Sequence, residues 1–236
     1  MNNGKLYLIP TTLGDTAPLE VLPISVKKII ETVDDYIVEN EKTARHFIKK
    51  ISSSKSQPSL NIHVLNKYTQ AIELPEFLKA CEEGKDVGLL SEAGCPGIAD
   101  PGADIVKLAH EKNIQVVPLV GPSSILLAMM ASGFNGQNFK FNGYLPIDKV
   151  ERRKTLKQLE KESFLKKMSQ IFIETPYRND KMLEDICNSL HHETRVCVAA
   201  DITLPTEYIK TQTVEAWKQT KVDLHKRPAI FIIHKD

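Results

Sequence analysis

Residues 87–102 read VGLLSEAGCPGIADPG. The apolar run Val87–Leu90 stops abruptly in a segment that holds Gly94, Gly97 and Gly102, with Pro96 and Pro101 between them. A periodic apolar pattern resumes at Ile105, Leu108 and Ala109. The pattern predicts a buried strand, a long rigid turn and a helix. The glycines permit positive φ and close backbone approach, and the prolines hold the turn in one shape. A connection that only turned a corner would need a few residues. In an open α/β sheet, ligands bind outside the carboxyl ends of the strands, so this loop is the first candidate binding element.

Outward from it, strands and helices alternate. Lys5–Ile9 reads as a strand closed by Pro10, and Ile24, Ile29, Ile30 and Val33 have helical spacing. Tyr36–Val38 is a second strand, Glu41–Ile51 a helix, Leu60–Leu65 a strand, and Leu74–Glu83 a helix that Gly84 ends. After the central loop come a helix over Ala103–Glu111 and a strand over Ile114–Leu119. Such alternation implies right-handed crossovers and a parallel sheet. The rhythm changes beyond Gly133. Phe139–Leu145, Gln170–Glu174, Arg195–Ala200, Glu207–Thr211 and Ala229–Ile233 read as strands, with helices over Lys149–Lys167, Lys181–Leu190 and Val214–Trp217. Arg195–Ala200 and Glu207–Thr211 are too close in sequence for a crossover, so they pair antiparallel and make the second sheet mixed. The expected fold class is α/β in two domains, 1–119 and 120–236.

With 236 residues, a net charge of +1 and ordinary apolar and charged fractions, the chain reads as a soluble globular protein. The charge balance excludes a protein that wraps nucleic acid over its whole surface, though not one with a local basic patch. Cys81, Cys95, Cys187 and Cys197 show no CxxC spacing, and the N-terminus shows no secretory pattern, which fits a reduced cytoplasmic setting. The long apolar stretch Val116–Phe134 is interrupted by Pro118, Gly121, Pro122, Ser123 and Ser124, so no membrane span is expected. The seven histidines do not fall at metal-ligand spacings, and no bound metal is expected.

Gly121-Pro122-Ser123-Ser124 follows a strand and opens a helix, with Gly121 suited to cap and Pro122 to the first helical position. A helix start of this kind can receive a carboxylate or phosphate. Neither GxxxxGK[ST] nor GxGxxG is present, which argues against a Walker loop or a dinucleotide fingerprint. Inside the central loop, Glu92 and Asp100 are the acidic candidates for orienting a nucleophile. Asp100 has the alternative role of capping the following helix, with Pro101 at its first position.

The motifs IPTTLGD, SEAGCPGIADPG, VVPLVGPSS, FNGYLP and IFIETPYR occur in that order from Leu6 to Arg178. In them the chain resembles the tetrapyrrole methylase superfamily of S-adenosylmethionine (SAM) dependent methyltransferases. It resembles in particular the branch that methylates a cytidine ribose 2′-hydroxyl in small-subunit ribosomal RNA. The resemblance implies two α/β domains with SAM in the cleft between them, and a homodimer. It implies that Pro10 and Thr11 stand at the mouth of the cleft. Ser91, Gly94, Cys95, Pro96 and Gly97 would contact the methionine part of SAM through their backbone, and Gly121, Pro122, Ser123 and Ser124 would close the pocket. Glu174, Thr175, Pro176 and Tyr177 take the matching place in the second domain, and Pro228 and Ala229 line the adenine. Arg178 joins the substrate side. Valine at Gly94 or Gly121 is then expected to weaken SAM binding without unfolding the protein.

The implied chemistry is an in-line displacement at a sulfonium carbon, which needs orientation and a proton acceptor rather than a metal. Arg152, Arg153, Lys154 and Lys157 on the helix over Lys149–Lys167 are the candidates for neutralising RNA phosphates. The competing reading of that helix is a solvated face laced with Glu–Lys pairs. The branch's AEDTR stands here as Val38-Glu39-Asn40-Glu41-Lys42, its YHEHN falls near Val64–Tyr68, and its RELTK is Asp201-Ile202-Thr203-Leu204-Pro205. These departures keep two alternatives open: a SAM-dependent methylase of a tetrapyrrole-like small molecule, and a non-catalytic SAM- or RNA-binding relative.

Overall fold

The structure, a computed structural model, describes residues 3–236. The chain divides into two units, Met1–Ser123 and Ser124–Asp236, so the division falls inside the GPSS run.

The first unit runs β1 (Lys5–Ile9), α1 (Pro18–Val21), α2 (Ile24–Thr32), β2 (Asp35–Val38), α3 (Glu41–Ile51), β3 (Asn61–Val64), α4 (Leu74–Phe77), α5 (Lys79–Glu82), β4 (Val87–Leu90), α6 (Gly102–Glu111) and β5 (Gln115–Pro118). Its strands form one parallel sheet in the order β3-β2-β4-β1-β5. Alternate residues supply the two faces. Ile9, Tyr36, Val38 and Leu90 pack with Val26, Ile30, Phe47 and Ile48 from α2 and α3. Leu6, Ile37, Val87 and Leu89 pack with Leu78, Cys81, Ile105 and Ala109 from the other side. Each such apolar side chain, fully buried, stabilises the unit by roughly 1.5–3 kcal/mol before entropy is counted.

The strand order fixes where a ligand can sit. β1 and β4 are neighbours, yet the chain leaves β1 toward β2 and leaves β4 across β1 to reach β5. Two outgoing connections that part in opposite directions leave a crevice at the carboxyl ends, the topological switch point of an open sheet. The loops that begin at Pro10 and at Ser91 both start there.

The second unit runs α7 (Ser124–Ala131), β6 (Phe139–Tyr144), α8 (Lys149–Lys166), β7 (Ser169–Ile173), a 3-10 turn (Pro176–Arg178), α9 (Asn179–Ser189), β8 (Arg195–Ala200), β9 (Tyr208–Thr213), α10 (Val214–Gln219) and β10 (Ala229–His234). The sheet order is β6-β7-β10-β8-β9. β6 and β7 are parallel, and the remaining pairs are antiparallel, including the expected β8–β9 hairpin. Val196, Val198, Phe231 and Ile233 face Leu156, Leu159, Met182, Ile186 and Trp217 in one core. The Trp217 indole donates to the Val196 carbonyl at 2.9 Å, which satisfies its one polar atom in that core.

The helix expected over Leu74–Glu83 is broken at Leu78 into α4 and α5, and two further boundaries differ where they touch the candidate site. Helix α7 begins at Ser124, so neither Gly121 as its cap nor Pro122 as its first residue is right. Both belong to the loop packing described below. Helix α6 begins at Gly102, which puts Pro101 before the helix rather than at its first position.

Candidate active site

The three loops singled out in the first unit meet at the switch point. The Thr11 amide donates to the Gly94 carbonyl at 2.9 Å, and the Thr11 hydroxyl donates to the Ser91 carbonyl at 3.3 Å. The Ser91 hydroxyl donates to the Gly94 carbonyl at 3.0 Å. The Cys95 thiol lies 3.4 Å from the Pro122 carbonyl and 3.8 Å from that of Gly121. Burial pushes the Cys95 thiol up from its ordinary value, so it stays protonated and serves as a weak donor here.

The glycines of this junction do different work. A Cβ at Gly121 would lie 2.2 Å from Pro10 Cβ, so Gly121 lets two loops touch. The expectation that Gly121→Val would spare folding is therefore corrected, because a side chain there must separate the loops. Gly97 has φ +80°, and a Cβ built on it meets nothing within 4 Å. It presents bare backbone to open space, where a ligand can approach the main chain.

Asp100 holds this loop in shape. Its Oδ1 accepts from the amides of Gly97 and Gly102, each at 2.8 Å, and so pins the turn to the start of α6. Glu92 stands differently. Its carboxylate is exposed and accepts from the Thr43 hydroxyl at 2.7 Å, and its amide donates to Glu39 Oε1 at 3.2 Å. Burial raises the Glu39 carboxyl above its ordinary value, and the negative charges of Asp100 and Glu92 push it the same way, against the amide of Glu92. Glu39 was visible in the sequence as the one acidic match to AEDTR. What the sequence could not show is that it stands under Glu92.

A cavity of about 270 Å³ opens beside these loops on the α3 side, lined among others by Thr11, Asp15, Thr43, His46, Lys50 and Glu92. None of the α3 residues belongs to a motif that marked them beforehand. Asn40 starts α3 by accepting from the amides of Lys42 and Thr43 at 2.9 and 3.3 Å, and this sets the helix pointing away from the sheet's carboxyl edge.

In the second unit the expected residues are engaged with one another. The Glu174 carboxylate is buried and accepts from the Thr175 amide and from Arg178 Nη2, each at 2.6 Å. Arg178 is thus tied to Glu174, while Tyr177 is exposed and meets the His225 ring edge-on. Pro228 accepts from the Asp201 amide at 2.9 Å, and Ala229 is buried in the register of β10 with β8.

The expected phosphate-facing cluster on α8 is corrected at its strongest member. Arg152 is buried on the inner stripe of α8, in line with Leu156, Leu159 and Ser163. It holds Asp185 Oδ2 at 2.5 Å and the Ile147 carbonyl at 2.6 Å. Arg153 is half-buried and pairs with Asp185 Oδ1 at 2.8 Å. Lys154 and Lys157 are exposed. The reason is steric: position 152 lies four residues before Leu156, on the face that packs against α9.

His191, His192 and Glu193 bring side-chain donor atoms within 4.8 Å of one another in an exposed turn after α9. Among the described residues, no helix is long and apolar enough to cross a membrane.

The profile of the tetrapyrrole (corrin/porphyrin) methylases matches residues 5–217. Among curated proteins, ribosomal RNA small subunit methyltransferase I of Thermotoga maritima is 32% identical over 214 residues, covering 90% of each chain. The protein of that name from Escherichia coli O157:H7 is 29% identical over 235 residues, 98% of this chain and 78% of its own. Among solved structures, a cobalt precorrin-4 methyltransferase of cobalamin biosynthesis superposes with a TM-score of 0.62 at 17% identity, covering 98% of this chain and 94% of the other. A uroporphyrin-III-C-methyltransferase from Thermus thermophilus gives 0.56 at 16% identity, covering 98% and 92%. These last two share the fold. The profile match and the Thermotoga relative together establish that the chain belongs to the tetrapyrrole (corrin/porphyrin) methylase family.

Proposed function

We propose that this protein transfers a methyl group from SAM to a ribose 2′-hydroxyl of a cytidine in small-subunit ribosomal RNA. The observation that carries the reading is the open backbone at Gly97, fixed by Asp100 and set at the switch point where the loops after β1, β4 and β5 interlock. The names of the curated relatives supply the acceptor class.

The methyl donor fits beside Gly97, where nothing stands within 4 Å of a Cβ position and a ligand can reach the main chain, while Asp100 holds the Gly97 amide and so fixes the turn. Bound there, SAM would supply a sulfonium-activated methyl group for in-line displacement, with the neutral thioether S-adenosylhomocysteine as the leaving group. The chain's own task is to orient the partners and to accept a proton, since a ribose hydroxyl is a poor nucleophile. Glu92 fits the second role: Thr43 orients its carboxylate, Glu39 anchors its amide, and it borders the cavity. Pro10, Thr11, Ser91, Gly94, Cys95, Pro96, Gly121 and Pro122 hold the loops in register.

Small subunits from a strain lacking this modification, incubated with the protein and methyl-labelled SAM, provide the test. The expected label appears in the ribosomal RNA on a cytidine ribose. Label in a tetrapyrrole precursor and none in RNA would contradict the reading.

A further inference from the structure

Two basic helices compete for the RNA. In α3, Lys42, His46, Lys49 and Lys50 stand at i, i+4, i+7 and i+8, which places them on one side of the helix, and all four are exposed. The opposite side, Ala44, Phe47, Ile48 and Ile51, is buried in the unit's core. Lys50 pairs with the exposed Asp15 at 2.6 Å, and Arg45 is used by Glu41 and the Gln57 carbonyl. Neither Lys42 nor Lys49 has an ion-pair partner among the described residues. The stripe runs beside the cavity, because His46 and Lys50 belong to both.

The cavity has the chemistry of a nucleoside site. Its volume of about 270 Å³ lies near the lower end of pockets that hold a small ligand, which suits one extruded nucleoside and is cramped for a tetrapyrrole macrocycle. Phe47, Leu90 and Ala44 give it an apolar wall, and Thr43, Thr11 and Glu92 give it hydroxyl and carboxylate groups at the end nearest the interlocked loops. A pocket of this kind can receive one unstacked nucleoside of a strand, and cations beside it then hold the flanking phosphates.

We infer that α3, rather than α8, is the RNA-facing element: Lys42 and Lys49 hold the strand's phosphates, His46 and Lys50 border the adjoining cavity, and that cavity takes the acceptor nucleoside. This rests on the methyl-transfer reading above, and it specifies which surface of the protein serves that reaction.

The test compares two double variants, Lys42→Gln with Lys49→Gln on α3, and Lys154→Gln with Lys157→Gln on α8. Binding of each to an unmodified small-subunit ribosomal RNA transcript is measured as a function of salt. Removing two phosphate contacts lowers the slope of log K against log salt by about 1.4 on a single strand. That loss is expected for the α3 pair, with an unchanged slope for the α8 pair and unchanged SAM affinity in both. A flattened slope in the α8 pair alone, or in neither, overturns the assignment of α3. Thr43→Phe is compared with Thr43→Val, which loses the same hydrogen bond to Glu92 without filling the cavity: transfer at least tenfold lower in the phenylalanine variant than in the valine one, with SAM affinity intact in both, is expected, and equal rates overturn the nucleoside pocket. Wild-type labelling of RNA, read in the same assay, separates these outcomes from a failure of the methyl-transfer reading itself.

Discussion

The first unit builds its candidate site from backbone, whereas the second spends its expected site residues on one another. At the β1/β4 switch point the working features are a bare turn at Gly97, carbonyls that hold three loops together, and an aspartate that pins the turn. In the second unit, Glu174 is held by Arg178, and Asp185 by Arg152 and Arg153. A charged residue in sequence signals function only when its counter-charge lies elsewhere, on a ligand. Here several counter-charges lie inside the protein.

The largest effect that would sharpen this contrast is at Asp185. Asp185→Ala leaves the Arg152 guanidinium buried without its partner, and such a loss costs about 3–5 kcal/mol. Denaturant unfolding should show that drop, with SAM affinity unchanged in the protein that remains folded. A loss no greater than that of a surface substitution would break the contrast. The same pair predicts a pH signature. Burial alone would raise the Asp185 carboxyl, but the hydrogen bonds and charges of Arg152 and Arg153 outweigh it and hold the carboxyl below its ordinary range. A depressed folded pKa gives stability that is complete above the unfolded value of about 3.9 and is lost as pH falls through the folded one. The stability gap between wild type and Asp185→Asn should therefore narrow as pH falls below about 4.

Next in size is Gly121→Val. Its side chain would overlap Pro10, and overpacking of this kind costs about 1–3 kcal/mol. Thermal unfolding should register the loss along with weakened SAM binding. The smallest expected effect is at Lys42 and Lys49, where alanine should leave stability within about 0.5 kcal/mol while RNA binding falls.

Much of the fold was legible because it rests on local pattern. The apolar spacing of Glu41–Ile51 gave α3 its bounds, and the short link from Ala200 to Tyr208 gave the antiparallel pair in the second sheet. The central loop was legible too, since glycine and proline act on their own backbone. What depended on distant partners was not. Arg152 belongs to the inner stripe of α8, and its alignment four residues before Leu156 was a usable signal; its partner Asp185 lies beyond two further elements. Gly121 looked like a helix cap because its contact, Pro10, is remote in sequence. The cavity beside α3 was half legible: two of its three lining segments overlap IPTTLGD and SEAGCPGIADPG, whereas the α3 residues that complete it carried no motif.

The central claim is that the interlocked loops of the parallel sheet hold the methyl donor. Calorimetric titration of SAM into wild type and into Gly97→Asn, a side chain that tolerates positive φ, tests it most directly. The account predicts a binding isotherm for wild type and an affinity at least tenfold weaker for the variant, about 1.4 kcal/mol or more. Equal affinity in the two folded proteins would contradict it.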